Sequence, residues 1–156
     1  MNRFALLEAK YNAEVRPRRL VNDVALTINP AGTCTISYGA TLPKPEAVVG
    51  VAMMFGVLEL GWPGYQFRFR FPLDDDSAPL KKRAGAMRRD YRVAWRWAGK
   101  FLIPDAAIRR IKRERPDVRE AIEELSVMPD LLGYRLGIII PPSLVGKPAE
   151  EWTPCL

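Results

Sequence analysis

Apolar residues recur at helical spacing from Phe4 to Val15, with Phe4, Leu7 and Tyr11 on one side and Glu8 and Glu14 elsewhere. This predicts a helix that stops before Arg16-Pro17, because the residue preceding a proline is pushed out of the helical region. Val21 to Ile28 then alternates, Val24, Leu26 and Ile28 against Asp23, Ala25 and Thr27. Thr33 to Tyr38 alternates again through Cys34, Ile36 and Tyr38. With the turn residues Asn29-Pro30-Ala31-Gly32 between them, the two runs predict a β-hairpin that serves as scaffold.

Ala47 to Leu58 is nearly unbroken apolar sequence. Pro45 suits the first turn of a helix running to about Leu60, with Gly61 ending it and Pro63 beyond, and a helix apolar on every side would be a central core element. Val48, Val49 and Val51 with the internal glycines Gly50 and Gly56 also fit a buried strand, so the pattern leaves both open. Gln66 to Phe71 is the clearest strand, with Phe67, Phe69 and Phe71 on one face and Gln66, Arg68 and Arg70 on the other. The Phe face belongs to the core; the Arg face meets solvent or an anion.

Asp74-Asp75-Asp76-Ser77 reads as a loop, and Ser77 can cap a helix from about Ala78 with Leu80, Ala84, Met87 and Tyr91 as its apolar stripe. From Tyr91 the pattern becomes two-residue alternation, Tyr91, Val93, Trp95 and Trp97 against Arg92, Ala94 and Arg96, which predicts a strand. Pro104-Asp105 opens a helix to about Arg113, and Pro116-Asp117 opens another to about Val127. Leu132 to Ile140 predicts a last strand, followed from Pro141 by a Pro-rich arm. Hairpin-like strands interspersed with helices point to an α+β fold. The expected architecture is a single globular domain over residues 1–140, an antiparallel sheet of four or five strands with helices on one face, and a C-terminal arm over 141–156.

At 156 residues and 48% apolar content the chain can bury a core without a staple. A Cys34–Cys155 disulfide is therefore the less favoured reading. Glu8 and Lys10 fall where a signal peptide needs its apolar stretch, and the longest apolar run is too short to span a bilayer, so a cytoplasmic protein with no membrane partner is expected.

Charge changes the picture most. Between Lys81 and Arg115 thirteen Lys or Arg face three acids, a local balance of +10 against +6 for the whole chain. A concentrated cationic block steers polyanions or acidic proteins, whereas scattered charge serves solubility alone. If the strands at 66–71 and 91–97 pair, Arg68, Arg70, Arg92 and Arg96 share one sheet face, flanked by Lys81, Lys82, Arg88 and Arg89 as phosphate contacts. Arg109, Arg110, Lys112, Arg113 and Arg115 close the next helix. Tyr91, Trp95 and Trp97 would stack on bases if exposed, although their place opposite the arginines also fits a core.

The chain contains no histidine, which excludes Ser-His-Asp, Cys-His and His-zinc chemistry. No GxGxxG follows a strand, and Gly146-Lys147-Pro148 lacks Walker spacing. Asp74, Asp75 and Asp76 would be oxygen ligands for a divalent cation in a remote phosphodiesterase alternative, but consecutive residues rarely converge on one ion, and a solvated acidic loop is the better account. The Phe-Arg strand lacks the Lys/Arg-Gly-Phe/Tyr signature of RRM domains. The helices over 105–127 resemble a helix-turn-helix only superficially, since the second carries Asp117, Glu120, Glu123 and Glu124 against Arg119, the wrong sign for a major-groove helix.

The sequence therefore points to a non-enzymatic protein with no cofactor and no metal, binding a polyanion, with nucleic acid ahead of an acidic protein partner. The alternative is an adaptor, inhibitor or assembly subunit anchored by the arm and Trp152.

Overall fold

The computed structural model describes residues 2–20, 22–71, 85–140 and 153–154. The chain divides into two compact units, Met1–Ala98 and Gly99–Leu156.

The first unit opens with α1 (Ala5–Tyr11), β1 (Ala13–Arg18), β2 (Asp23–Ile28), β3 (Cys34–Gly39), α2 (Lys44–Glu59) and β4 (Gln66–Arg70). The predicted helix over 4–15 is cut short at Asn12, which takes a left-handed conformation (φ 48°, ψ 49°). Asn tolerates this region better than most residues. The Glu8 side chain then accepts from the Val15 amide at 3.1 Å, and the chain leaves as a strand. Pro17 is tolerated there because β1 is an edge strand.

The sheet order is β1-β3-β2-β4. β2 pairs antiparallel with β3 and with β4, but β1 pairs parallel with β3. The sheet is thus four-stranded and mixed, a correction to the antiparallel expectation that follows from the extra strand β1. Gly39 ends β3 against Leu20: a Cβ built on it would stand 2.7 Å from the Leu20 carbonyl oxygen.

One sheet face carries Val24 and Leu26 of β2 and Cys34 and Ile36 of β3, all buried, with Phe67 and Phe69 half-buried on β4. α2 lies on this face. Residues Val49 to Val57 are buried without a break, as expected of a helix apolar on every side. The run is a helix, and both of its glycines sit at close approaches. Gly50 meets Val24 and Phe71, and Gly56 meets Trp97. Phe4 stacks on Phe55 with ring centroids 5.6 Å apart, so α1 closes the same core.

The next helix, α3 (Gly85–Leu102), contradicts the predicted strand over 91–97. Ala94, Ala98 and Leu102 are buried at four-residue intervals, while Arg92, Arg96 and Lys100 are exposed at the same interval. The alternation read between Tyr91 and Trp97 is a fragment of this longer period.

Beyond Gly99 come α4 (Asp105–Glu114), α5 (Val118–Leu125) and α6 (Pro129–Leu136). Their core is Ile103, Ile108, Ile111, Val118, Leu131 and Leu132. Asp117 caps α5 by accepting from the Arg119 amide at 2.8 Å. The predicted strand over 132–140 is mostly helix, because Pro129 opens α6 and Gly137 ends it in the left-handed region (φ 71°). Only β5 (Ile138–Ile139) remains extended, and it pairs antiparallel with β6 (Thr153–Pro154) of the C-terminal arm. Among the described residues no helix is long and apolar enough to cross a membrane.

Candidate functional site

The sheet face away from α2 is built from the alternate residue of every strand. Register puts Arg16, Ser37, Ala25 and Arg68 in one row across all four strands, and Glu14, Thr35, Thr27 and Gln66 in the next. Arg18 continues β1 beside Gly39, and Arg70 continues β4 beside Asp23. Arginines therefore stand on both edge strands, and the floor between them is Ser37, Thr35, Ala25, Thr27 and Gly39 together with the buried Asp23. Arg18, Arg68 and Arg70 are exposed and Arg16 is half-buried. None of these twelve positions is aromatic or a large aliphatic residue.

Asp23 organises one edge. Its side chain is 8% exposed, and it receives Arg70 Nε at 3.3 Å on Oδ1 and Arg68 Nη1 at 3.5 Å on Oδ2. The two guanidinium groups are 60% and 77% exposed, so each has donors left over for a second anion. At the other edge Arg16 Nη1 lies 3.4 Å from Glu14. Among the described residues, Arg16 Nε is a buried side-chain donor with no acceptor.

Of the residues expected from sequence to act together, Arg68 and Arg70 are placed side by side. Arg92 and Arg96 are not on the sheet: β4 pairs with β2, and residues 91–97 are helical. The four-arginine patch of Arg68, Arg70, Arg92 and Arg96 is therefore not formed by the pairing of two strands. Gly50 of α2 faces the sheet and Gly56, a third of a turn round the helix, faces Trp97. α3 is thus reached through α2, from the apolar side. Trp97 is half-buried in that contact and Trp95 is also half-buried. Arg88, Arg89 and Tyr91 lie on α3 by backbone position, while Lys81, Lys82 and the Asp74–Asp76 loop fall outside the described residues.

The sequence reading passes over Arg16 and Arg18 because they fall between a helix that stops before Arg16-Pro17 and a strand that starts at Val21. Their signal is the alternation Glu14-Val15-Arg16-Pro17-Arg18.

The basic helix end in the second unit is partly paired instead. Arg110 Nη2 donates to Glu124 at 2.6 Å, and that carboxylate pushes the guanidinium further above its ordinary value. Arg113 donates to Glu114 at 3.1 Å.

A cleft of about 490 Å³ opens beside α2, lined by Phe4, Val15, Tyr38, Val48 and Val51 among others. Among the described residues lining it, Lys44 is the charged one. Cys34 is a free, buried thiol whose pKa burial raises. Among the described residues no group of His, Cys, Asp or Glu is arranged to hold a metal ion. No protein-family model matches the chain, and no curated protein is similar to it in sequence.

Proposed function

We propose that this protein is a non-enzymatic polyanion-binding domain whose contact surface is the polar face of its four-stranded sheet, with nucleic acid as the polyanion. The observation that carries the proposal is the row Arg16, Ser37, Ala25, Arg68, which sets a cation at each edge of a floor of short side chains. Arg18 and Arg70 extend both edges. Thr27, Thr35, Ser37 and Gln66 add neutral donors of the kind that accompany arginine at phosphate oxygens.

An acidic protein would be drawn to the same charges. Protein interfaces, however, take most of their affinity from aromatic and aliphatic anchors in desolvated pockets. The face offers none. That favours a partner recognised through its charge, and puts the adaptor alternative second.

The test is a fluorescence-anisotropy titration with labelled nucleic acid across a range of salt. Four arginine–phosphate contacts on a duplex give a log–log slope against salt of about −3.6. Charge reversal by Arg16→Glu with Arg68→Glu should abolish binding, whereas Arg92→Glu with Arg96→Glu should leave the sheet contact in place. The opposite pattern would move the site to α3. Absence of binding at low salt in the unmutated protein would end the proposal.

A further inference from the structure

Resting on that polyanion-binding role, we infer that the sheet face takes double-stranded nucleic acid, gripping the phosphate backbones across a groove and leaving the bases unread. Three features of the face lead there.

The first is where the sheet keeps its aromatic residues. Single strands are held largely by stacking of unpaired bases on aromatic side chains, contacts worth about 1–3 kcal/mol per base. RNA-binding sheets place those aromatics on the open face. Here Tyr38, Phe67 and Phe69 all project to the α2 side, in the rows of Val24 and Leu26. The open face has Ser37, Arg68 and Arg70 at the neighbouring positions, and among the described residues of the four strands a single strand laid across it would find no ring to stack on.

The second is relief. Ala25, Thr27, Thr35 and Ser37 form the floor, and none is long enough to enter a groove and reach base edges. Direct readout needs side chains such as Arg, Asn or Gln inserted into the groove. On this face the long side chains stand at the rims, on β1 and β4.

The third is span. Three inter-strand gaps separate β1 from β4, about 14 Å between backbones, close to the roughly 12 Å width of a major groove. Arg16 and Arg18 would reach one phosphate strand and Arg68 and Arg70 the other. A single strand supplies one row of phosphates and leaves one arginine edge without a partner. A duplex presents one charge per about 1.7 Å of axis, twice the density of either strand.

The experiment uses the full chain against a short labelled DNA duplex, the matching RNA duplex, and each separated strand, between about 50 and 200 mM salt. The expected result is duplex binding at least about tenfold tighter than either strand. Affinity should hold within about threefold when the base sequence is scrambled, since phosphate contacts carry no base information. The DNA and RNA arms distinguish which helical form sets the preference. Arg16→Gln with Arg68→Gln should weaken duplex binding at least tenfold and flatten the slope by about 1.8. Arg18→Gln with Arg70→Gln gives the same readout from the adjacent positions should the first pair perturb folding.

Separated strands binding as tightly as the duplex, or a strong dependence on base sequence, would overturn the duplex inference and leave the polyanion proposal standing. Failure of every form to bind at about 50 mM salt would remove both.

Discussion

Gly50 of α2 lies directly over Val24 of β2, so close that a Cβ built on the glycine would stand 2.5 Å from Val24 Cγ2 and 3.0 Å from the Phe71 ring. The contact fixes the height of the helix above the sheet. Gly50→Ala in an ordinary helix interior would gain about 1 kcal/mol from helix propensity. Here the overpacking cost of about 1–3 kcal/mol opposes and exceeds that gain. The variant is expected to melt lower than the parent. Combining it with Val24→Ala removes the clashing methyl, and the pair should fall short of additivity by at least about 0.5 kcal/mol in a double-mutant cycle of denaturant melts.

Elements with a clear period or start signal were legible in the sequence: the hairpin of β2 and β3, the Phe-Arg strand β4, and α4 with its proline start, whereas the apolar run that forms α2 fitted a helix and a buried strand alike. Two of the differences share a cause. Asn12 ends a helix and Gly137 ends another by adopting left-handed conformations, and a single residue of that kind leaves almost no mark on a hydrophobic pattern. α3 was misassigned for another reason. Between Tyr91 and Trp97 the helical and strand periods coincide, and only the four-residue spacing of Ala94, Ala98 and Leu102 separates them.

The candidate site was half legible for the same reasons. Arg68 and Arg70 sit on a strand whose faces could be read directly. Arg16 and Arg18 depend on the recognition of β1, and their register with β3 is parallel, a pairing that no local turn announces.

Cys34 tests the packing of the sheet on α2. It is buried on the apolar face, and burial raises its pKa, so little thiolate is present near neutral pH. In a Cys155→Ser background, labelling by a thiol reagent should be slow in the native protein and complete on denaturation. Rapid native labelling would mean that β3 is more open than described.

Arg135 ties the second unit together at its polar surface. Its Nε donates to the Ile103 carbonyl at 2.9 Å and its Nη2 to Asp105 at 2.6 Å. The hydrogen bond and charge of Arg135 hold the Asp105 carboxyl below its ordinary value. A carboxyl depressed in the fold contributes stability that is present above its unfolded pKa of about 3.9 and is lost as pH falls through the lower folded value. Asp105→Asn should therefore melt lower than the parent at neutral pH. The gap should close as the pH is taken below about 4. A gap that stays constant through that range would show that the ion pair is not its source.

In the proposed complex Asp23 sets stability and binding against one another. Its buried carboxylate accepts from Arg70 and pairs with Arg68, but both guanidinium groups remain largely in solvent, so solvent screening reduces what the pairs contribute to about 1 kcal/mol. Asp23→Asn should lower the melting temperature by that modest amount. In the proposed complex the same carboxylate competes with phosphate for the two arginines and adds a negative charge to the binding face. Neutralising it should tighten duplex binding a few-fold at low salt and steepen the salt dependence, because more of the cationic charge is then matched by phosphate. A melt and an anisotropy titration on the one variant read both effects. If stability and affinity fall together, Asp23 serves to hold the arginines in position for the ligand; if affinity rises as stability falls, it is their internal competitor.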